Sequence, residues 1–382
     1  MAKNAQTIPF VAIACGGTGG HLFPGIAIGE ALQAMGADVL LIVSEKEIDQ
    51  HAVKAARGME TFAAPAVAST AGKGAFVRGL IQSFKVSRAL FKKRRPDAVI
   101  AMGGFTSAGP ALAGRSMREP VFLHEANSIP GRANRWLAPF AREIFVMFEG
   151  AKKRLRNSRV SVTGMPVRSE FQAGDVGAAR MALGLVPNRD VVLFMGGSQG
   201  ATAINDAAMA AIPKLVERRP DLQFLHLTGL KDIERCAAFW RECGARGVAT
   251  PFLSEMDMGL AAANVAVSRS GASSLAEFAA MRLPAILVPY PIAADDHQVH
   301  NARAFTESGA AAMILQKELT AETLMPQVLE LLENNSKRSQ ITQALSKWHA
   351  PDCAEIIARR VLSEAVPRYS IPQTTFLSAL AA

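Results

Sequence analysis

Cysteine pairs, a leader-like apolar run, a membrane-length apolar span and an Asp-x-Asp motif are all missing from this sequence. The four cysteines, Cys15, Cys236, Cys243 and Cys353, show no Cys-x-x-Cys spacing, which predicts a reduced, cytoplasmic protein. The opening MAKNAQTIPF holds nothing resembling the apolar region of a secretory signal. No uninterrupted apolar stretch approaches the roughly 18 residues a spanning helix requires, so any membrane contact is expected to be peripheral. Without Asp-x-Asp, a dedicated metal–diphosphate site is not expected, and no metal or other cofactor is called for. Acidic residues are also missing from Thr61 to Pro96, a span that carries Lys73, Arg78, Lys85, Arg88, Lys92, Lys93, Arg94 and Arg95.

What is present is a globular, basic composition. With 382 residues, 49% of them hydrophobic and 20% charged, the chain is expected to form two domains with separate cores. A net charge of +9 points to anionic partners: nucleic acid, acidic lipid or a phosphorylated substrate. In the acid-free span, Phe76, Leu80, Ile81 and Phe84 interleave with Arg88, Lys92, Lys93 and the other cations. That is a basic amphipathic segment suited to an anionic bilayer. Nucleic acid is not the expected partner, because no stacking aromatics accompany the charge. The competing reading is an ordinary crossover helix whose apolar face packs on a sheet.

Along the chain, strand, glycine-rich turn and helix recur. IPFVAIACGGTGGHLFPGIAIGEALQAMGADVLLIVS reads as a βαβ unit whose glycines, Gly16, Gly17, Gly19 and Gly20, permit close approach to a diphosphate. The dinucleotide fingerprint fails, since Leu22 stands where its third glycine belongs. His21 falls where the following helix should begin and is a candidate base or anion contact. Gly103 and Gly104 make a second small-residue turn, and a further strand ends at His124, Glu125 and Asn127. Gly164, Pro166 and Arg168 suggest a linker, and at DVVLFMGGSQG the pattern restarts, as in a second, similarly built half.

The stretch from Ser268 to Ala302, SRSGASSLAEFAAMRLPAILVPYPIAADDHQVHNA, has the densest chemistry. Ser270 is expected to cap a helix running to Arg282. Helix spacing puts Ser270, Ser273, Ser274 and Glu277 on one face and Leu275, Phe278 and Ala279 on the other. The free N–H groups at such a helix start suit a phosphate. Glu277, roughly 10 Å further along, can accept hydrogen bonds from sugar hydroxyls. The polar loop after the next strand offers Asp295, Asp296, His297, Gln298 and Asn301 to a sugar, at the end of the sheet where α/β ligands bind. Phosphate at one end and hydroxyls at the other describe a nucleotide-sugar.

Seven motifs in order, GGTGGHLFPGIAI, MGGFTSAGP, HEANSIPGRANR, MPVR, MGGSQGATAIN, SRSGASSLAE and PYPIAADDHQVHNA, closely resemble those of the MurG family of peptidoglycan N-acetylglucosaminyltransferases, over about residues 9 to 310. The resemblance implies a GT-B fold: two Rossmann-like α/β parallel-sheet domains facing a cleft. The division expected is residues 1–165 for an acceptor and membrane-associating domain and 166–350 for a donor domain. Residues 351–382 would supply a C-terminal helix that crosses back to the first domain, and a tail. It implies UDP-N-acetylglucosamine as donor, bound by Thr18, Gly19, Gly20, Asn127, Arg168, Ser198, the backbone near Leu253, Ser274, Glu277, His297 and Gln298. Lipid I, an undecaprenyl-linked muramyl-pentapeptide, would be the acceptor, its diphosphate held by Gly17, Gly19, His21 and Gly104. Two positions depart from the family pattern: Met165 replaces an Asn, and Phe105 stands where Tyr is common.

The implied reaction is transfer of N-acetylglucosamine to the C4 hydroxyl of the muramyl sugar with inversion, giving lipid II. His21 is the expected base, and Glu277 joins it among the expected catalytic residues through the ribose hydroxyls. The expected place is the cytoplasmic face of the inner membrane, with other cell-wall synthesis proteins as further partners. The alternatives are a UDP-N-acetylglucosamine 2-epimerase and a non-catalytic nucleotide-sugar-binding scaffold at the membrane. The broken fingerprint disfavours a nicotinamide oxidoreductase.

Overall fold

Short, mostly apolar strands separated by helices satisfy their backbones and bury both faces as parallel sheets covered by those helices. The computed structural model describes residues 8–17, 19–44, 58–65, 73–197 and 200–365, and it forms two such sheets. The first contains β1 (Phe10–Ala14), β2 (Asp38–Ser44), β3 (Glu60–Ala64), β4 (Ala98–Ala101), β5 (Val121–Glu125), β6 (Glu143–Val146) and β7 (Val160–Val162). Their spatial order is β3-β2-β1-β4-β5-β6-β7. The second contains β8 (Val191–Met195), β9 (Gln223–Leu227), β10 (Arg246–Thr250), β11 (Val265–Ser268), β12 (Ala285–Leu287) and β13 (Ala312–Met313), in the order β10-β9-β8-β11-β12-β13. Every pairing is parallel; Val11 lies opposite Ala98, and Val265 opposite Val192. The strand order therefore reverses direction between β1 and β4 and again between β8 and β11. In doubly wound sheets, the loops on either side of such a reversal diverge and leave a crevice at the strands' carboxyl ends.

The cores follow the apolar pattern. Each face of the first sheet has its own cluster, one around Val11, Ile13, Ile100 and Phe122 and one around Ala12, Ile42, Val99 and Leu123. The helix Cys353–Ala365 joins the first of these: Cys353, Ile357, Ala358, Val361 and Leu362 are buried with β1, β2 and β4, although the preceding helices belong to the second sheet. Burial pushes the Cys353 thiol up to about 12, so it acts there as an inert packing group. Arg142 and Arg159 each bond Glu364 at 2.6 Å, fastening the end of the same helix to the first sheet's rim.

The acid-free span folds as the helix Lys73–Lys93. Its geometry corrects part of the membrane assignment: Leu80 and Phe84 turn inward and pack on the first sheet's core. They do so because the helix must cover the apolar face of the sheet. Phe76 is half-buried, whereas Val77 and Ile81 are 51% and 48% exposed. Arg94 is paired with Asp38 and Glu60, and Arg95 with Glu119, so these cations brace the fold. Arg88 reaches Ser116 Oγ at 3.3 Å, while Lys92 and Lys93 are exposed.

Candidate functional site

A cleft of about 880 Å³ opens between the carboxyl ends of the two sheets, at both reversal points. The first domain contributes Gly20 and His21 after β1, Gly103 and Gly104 after β4, and the segment Glu125 to Asn134 after β5. The second contributes Gly196 and Gly197 after β8, Lys231 and Asp232 after β9, Arg269 and Gly271 to Ser274 after β11, and Tyr290 to Gln298 after β12. Sequence expectation placed Gly20, His21, Gly104, Asn127, Ser274, His297 and Gln298 in a site, and the fold brings all seven to this one cleft.

His21 is held by the shape of the β4 turn. A Cβ on Gly103 would come within 3.1 Å of His21 Cε1, and one on Gly104 within 3.3 Å of Nε2. Both glycines also have positive φ, 102° and 73°, so side chains there would be strained as well as crowded. The ring thus lies flush against a backbone turn at the start of the helix Gly19–Ala34. Neighbouring His124 is buried, and desolvation lowers its pKa to about 4, so it stays neutral; Nε2 lies 3.4 Å from Gly164 O.

Glu125 organises the next loop. Its carboxylate is buried and accepts from Asn127 N at 2.8 Å, Gly131 N at 2.8 Å and Asn134 Nδ2 at 2.9 Å. Burial raises its pKa and these hydrogen bonds oppose the rise. Asn134 Nδ2 also donates to His124 O. One buried side chain therefore fixes the turn that presents Asn127 to the cleft.

The helix of the second domain is Ala272–Met281, with Gly271 as N-cap and Arg282 left-handed at its end. The expected Ser270 cap is not made. Ser270 is fully buried and its hydroxyl donates to Gln298 O at 2.8 Å, which leaves the helix's first N–H groups without a side-chain cap. Leu275, Phe278 and Ala279 are buried, and Ser273, Ser274 and Glu277 lie on the half-exposed side. Of the loop residues expected as sugar contacts, Asp295, His297 and Gln298 line the cleft, but Asp295 and Asn301 also have structural partners. Asp295 pairs with Arg135 and, at 3.6 Å, with Arg132, while Asn301 is fully buried between the domains.

Arg168 and Glu277 sit beside the cleft, in a narrow crevice with Phe23, Pro24, Pro166, Val167 and Ser273. Ser273 lines both spaces. The Arg168 guanidinium lies 4.3 Å over the Phe23 ring and 2.8 Å from Glu170. The Leu253 side chain packs against the second core. Gly17 turns toward Thr106 and Gly19 toward Phe23. Thr18 and Ser198 lie outside the described residues. Met165 is buried in the second core, an apolar packing role that an amide would not fill.

Sequence reasoning gave no weight to Asn134, Arg269 or Gln316, which also line the cleft. Arg269 is buried and donates to Val288 O, Pro289 O and Gln316 Oε1, holding the β11 and β12 ends in register. Its signal lay within the Ser268–Ala302 stretch, masked by the serines around it. Among the described residues, no group of three His, Cys, Asp or Glu side chains is placed to hold a metal ion. Nor is any helix among them long and apolar enough to cross a membrane.

Comparison with known proteins places these halves in one family. The glycosyltransferase family 28 N-terminal domain matches residues 11–146 and its C-terminal domain residues 191–357. The UDP-N-acetylglucosamine--N-acetylmuramyl-(pentapeptide) pyrophosphoryl-undecaprenol N-acetylglucosamine transferase of Geotalea daltonii is 35% identical over 366 residues, 93% of this chain and 98% of that one. The enzyme of the same name from Pelobacter propionicus is 34% identical over 376 residues, covering 92% and 98%. The crystal structure of Acinetobacter baumannii MurG superposes with a TM-score of 0.71 at 24% identity, over 93% of this chain and 99% of that one. A UDP-N-acetylglucosamine 2-epimerase superposes equally well, at 0.72 with 13% identity, over 96% and 99%. At these identities the superpositions show the fold alone.

Burial raises the Glu277 carboxyl to about 7; Arg168 pulls it down and Glu170 adds to the rise. The folded state therefore holds this proton more tightly than the unfolded chain, whose carboxyl titrates near the ordinary 4.5. This contribution to stability is complete below pH 4.5 and is lost as pH rises through 7. Glu277→Gln removes the titration. In urea unfolding, the stability of the variant relative to the parent is expected to improve by on the order of 1–3 kcal/mol between pH 4.5 and pH 8. A pH-independent difference would contradict the assignment.

Proposed function

The chain belongs to glycosyltransferase family 28, and from that membership we infer that its cleft joins a nucleotide-sugar to a lipid-linked acceptor. It is an inverting, UDP-N-acetylglucosamine-dependent glycosyltransferase. It transfers N-acetylglucosamine to the C4 hydroxyl of the muramyl-pentapeptide of lipid I, forming lipid II in peptidoglycan synthesis. The observation that carries this reading is identity of 35% along nearly the whole of both chains. Fold alone would not separate it from an epimerase, since both superpose at a TM-score near 0.7; the sequence relatives do.

In this reading residues 1–165 receive the acceptor, residues 166–350 hold the donor, and the helix Cys353–Ala365 crosses back to the first domain. The donor diphosphate meets the uncapped N–H groups at the start of the Ala272–Met281 helix, with Ser274 beside it and Arg168 nearby. The Glu277 carboxyl accepts from the ribose hydroxyls, and Asn127, Gln298 and His297 face the sugar. The acceptor oxygen attacks the anomeric carbon as the bond from that carbon to the phosphate oxygen breaks. His21 takes the hydroxyl proton, and the electron pair leaves with UDP, where helix N–H groups and Arg168 stabilise it. The support for His21 is its fixed ring against Gly103 and Gly104, on the first domain's side of the cleft and next to Gly20, whose carbonyl accepts from Ser273 Oγ of the donor helix at 3.5 Å.

The second domain would bind UDP whether or not His21 is intact. In an assay that follows labelled N-acetylglucosamine into a lipid I analogue, His21→Ala should lower turnover by roughly 10² to 10⁴ while UDP affinity is retained. Near-normal turnover removes His21 from the base role, and a parent that binds UDP-N-acetylglucosamine without transfer removes the transferase reading.

The protein lies on the cytoplasmic face of the inner membrane in this account, touching it through the Lys73–Lys93 helix. The support is exposed Val77 and Ile81 on a helix that also bears exposed Arg78, Lys85, Lys92 and Lys93. Replacing Lys92 and Lys93 by Ala should weaken sedimentation with phosphatidylglycerol vesicles by on the order of tenfold. Unchanged sedimentation assigns the charge to another partner.

A further inference from the structure

Asn301 lies in the helix His297–Glu307 and is fully buried, behind the cleft wall. Its amide makes three hydrogen bonds, to groups from both domains. Oδ1 accepts from Ser128 N at 2.9 Å, while Nδ2 donates to Asn127 Oδ1 at 3.0 Å and to Ser270 O at 3.2 Å. Asn127 is held from its other side by Glu125 Oε1, 2.8 Å from its backbone nitrogen and 3.4 Å from its Nδ2. Beyond Ser270 the connection continues, for Ser270 Oγ donates to Gln298 O, and Gln298 Oε1 accepts from Tyr290 N at 3.0 Å. A continuous chain of hydrogen bonds thus runs from Glu125 through Asn127, Asn301 and Ser270 to Gln298. At the rim, Arg135 and Arg132 reach Asp295 across the same gap.

Asn127 and Ser128 belong to the first domain and Ser270 and Asn301 to the second, so this chain closes only when the domains meet as they do here. We propose that Asn301 is a positioning residue for the transfer reaction: it sets the Asn127 amide and the Ser270–Gln298 backbone in one register, so that the sugar subsite is complete only in the apposed state. This rests on the reading that Asn127 and Gln298 face the donor sugar. Asn301 itself touches neither substrate.

Asn301→Ala removes the whole bridge. Asn301→Asp keeps the acceptor for Ser128 N and loses the donor to Asn127 and Ser270. In the full chain, each is expected to lower kcat on the order of 10- to 100-fold, the effect of misplacing a substrate-positioning group. UDP affinity should stay within about threefold, because the interaction lost belongs to the apposed state. The Asn127→Ala, Asn301→Ala double variant should lose clearly less than the product of the two single losses, because the second change acts in part through Asn127. Losses that multiply, a parent-like kcat in Asn301→Asp, or UDP affinity that falls in step with the rate would overturn the proposal. If the parent binds UDP-N-acetylglucosamine without transfer, the transferase reading fails separately. The bridge is then read by small-angle scattering: a larger radius of gyration for Asn301→Ala than for the parent supports it, and equal radii overturn it.

Discussion

Parallel strands must be joined by crossovers, so every loop at their carboxyl ends emerges on one edge of the sheet. This constraint decides where chemistry can occur in the molecule. Where the strand order reverses, at β1 and β4 in one sheet and β8 and β11 in the other, neighbouring loops part and leave backbone N–H groups facing outward. Two such edges set face to face make one cleft, to which neither sheet alone contributes a full set of groups. The buried helix Cys353–Ala365 helps hold them in that relation, since it follows the second sheet in sequence and packs into the first sheet's core.

Polar burial then sets the details. Glu125, Asn134, Ser270, Arg269 and Asn301 are all buried, and each hydrogen-bonds to strand ends, loops or helix starts that frame the cleft. Buried polar groups tolerate few alternative arrangements, because a lost partner is not replaced by water. The cleft wall is therefore fixed by residues behind it, which leaves His21, Asn127, Ser274 and Gln298 facing the open space.

Much of this was legible in the sequence because it depends on local periodicity. The βαβ repeats, the glycine turns and the two faces of the Ala272–Met281 helix follow from spacing alone. Ser270 was misread because a serine one residue before the N-cap looks like a cap until its partner, Gln298 O, is known. Leu80 and Phe84 were misread because an amphipathic helix does not say whether its apolar side meets a sheet or a lipid. Asn301 was the least legible. Its partners Asn127 and Ser128 come from the other domain, and only the meeting of two sheets brings them together.

A nucleotide-sugar bound in this cleft would be held by loops from both reversal points. This arrangement is tested most directly by a crystal structure of the protein with UDP-N-acetylglucosamine. The account predicts the diphosphate at the start of the Ala272–Met281 helix, the ribose hydroxyls at Glu277 and the sugar between Asn127 and Gln298. A nucleotide held by the Gly16–Gly17 turn of the first sheet, with the second sheet's loops empty, would contradict it.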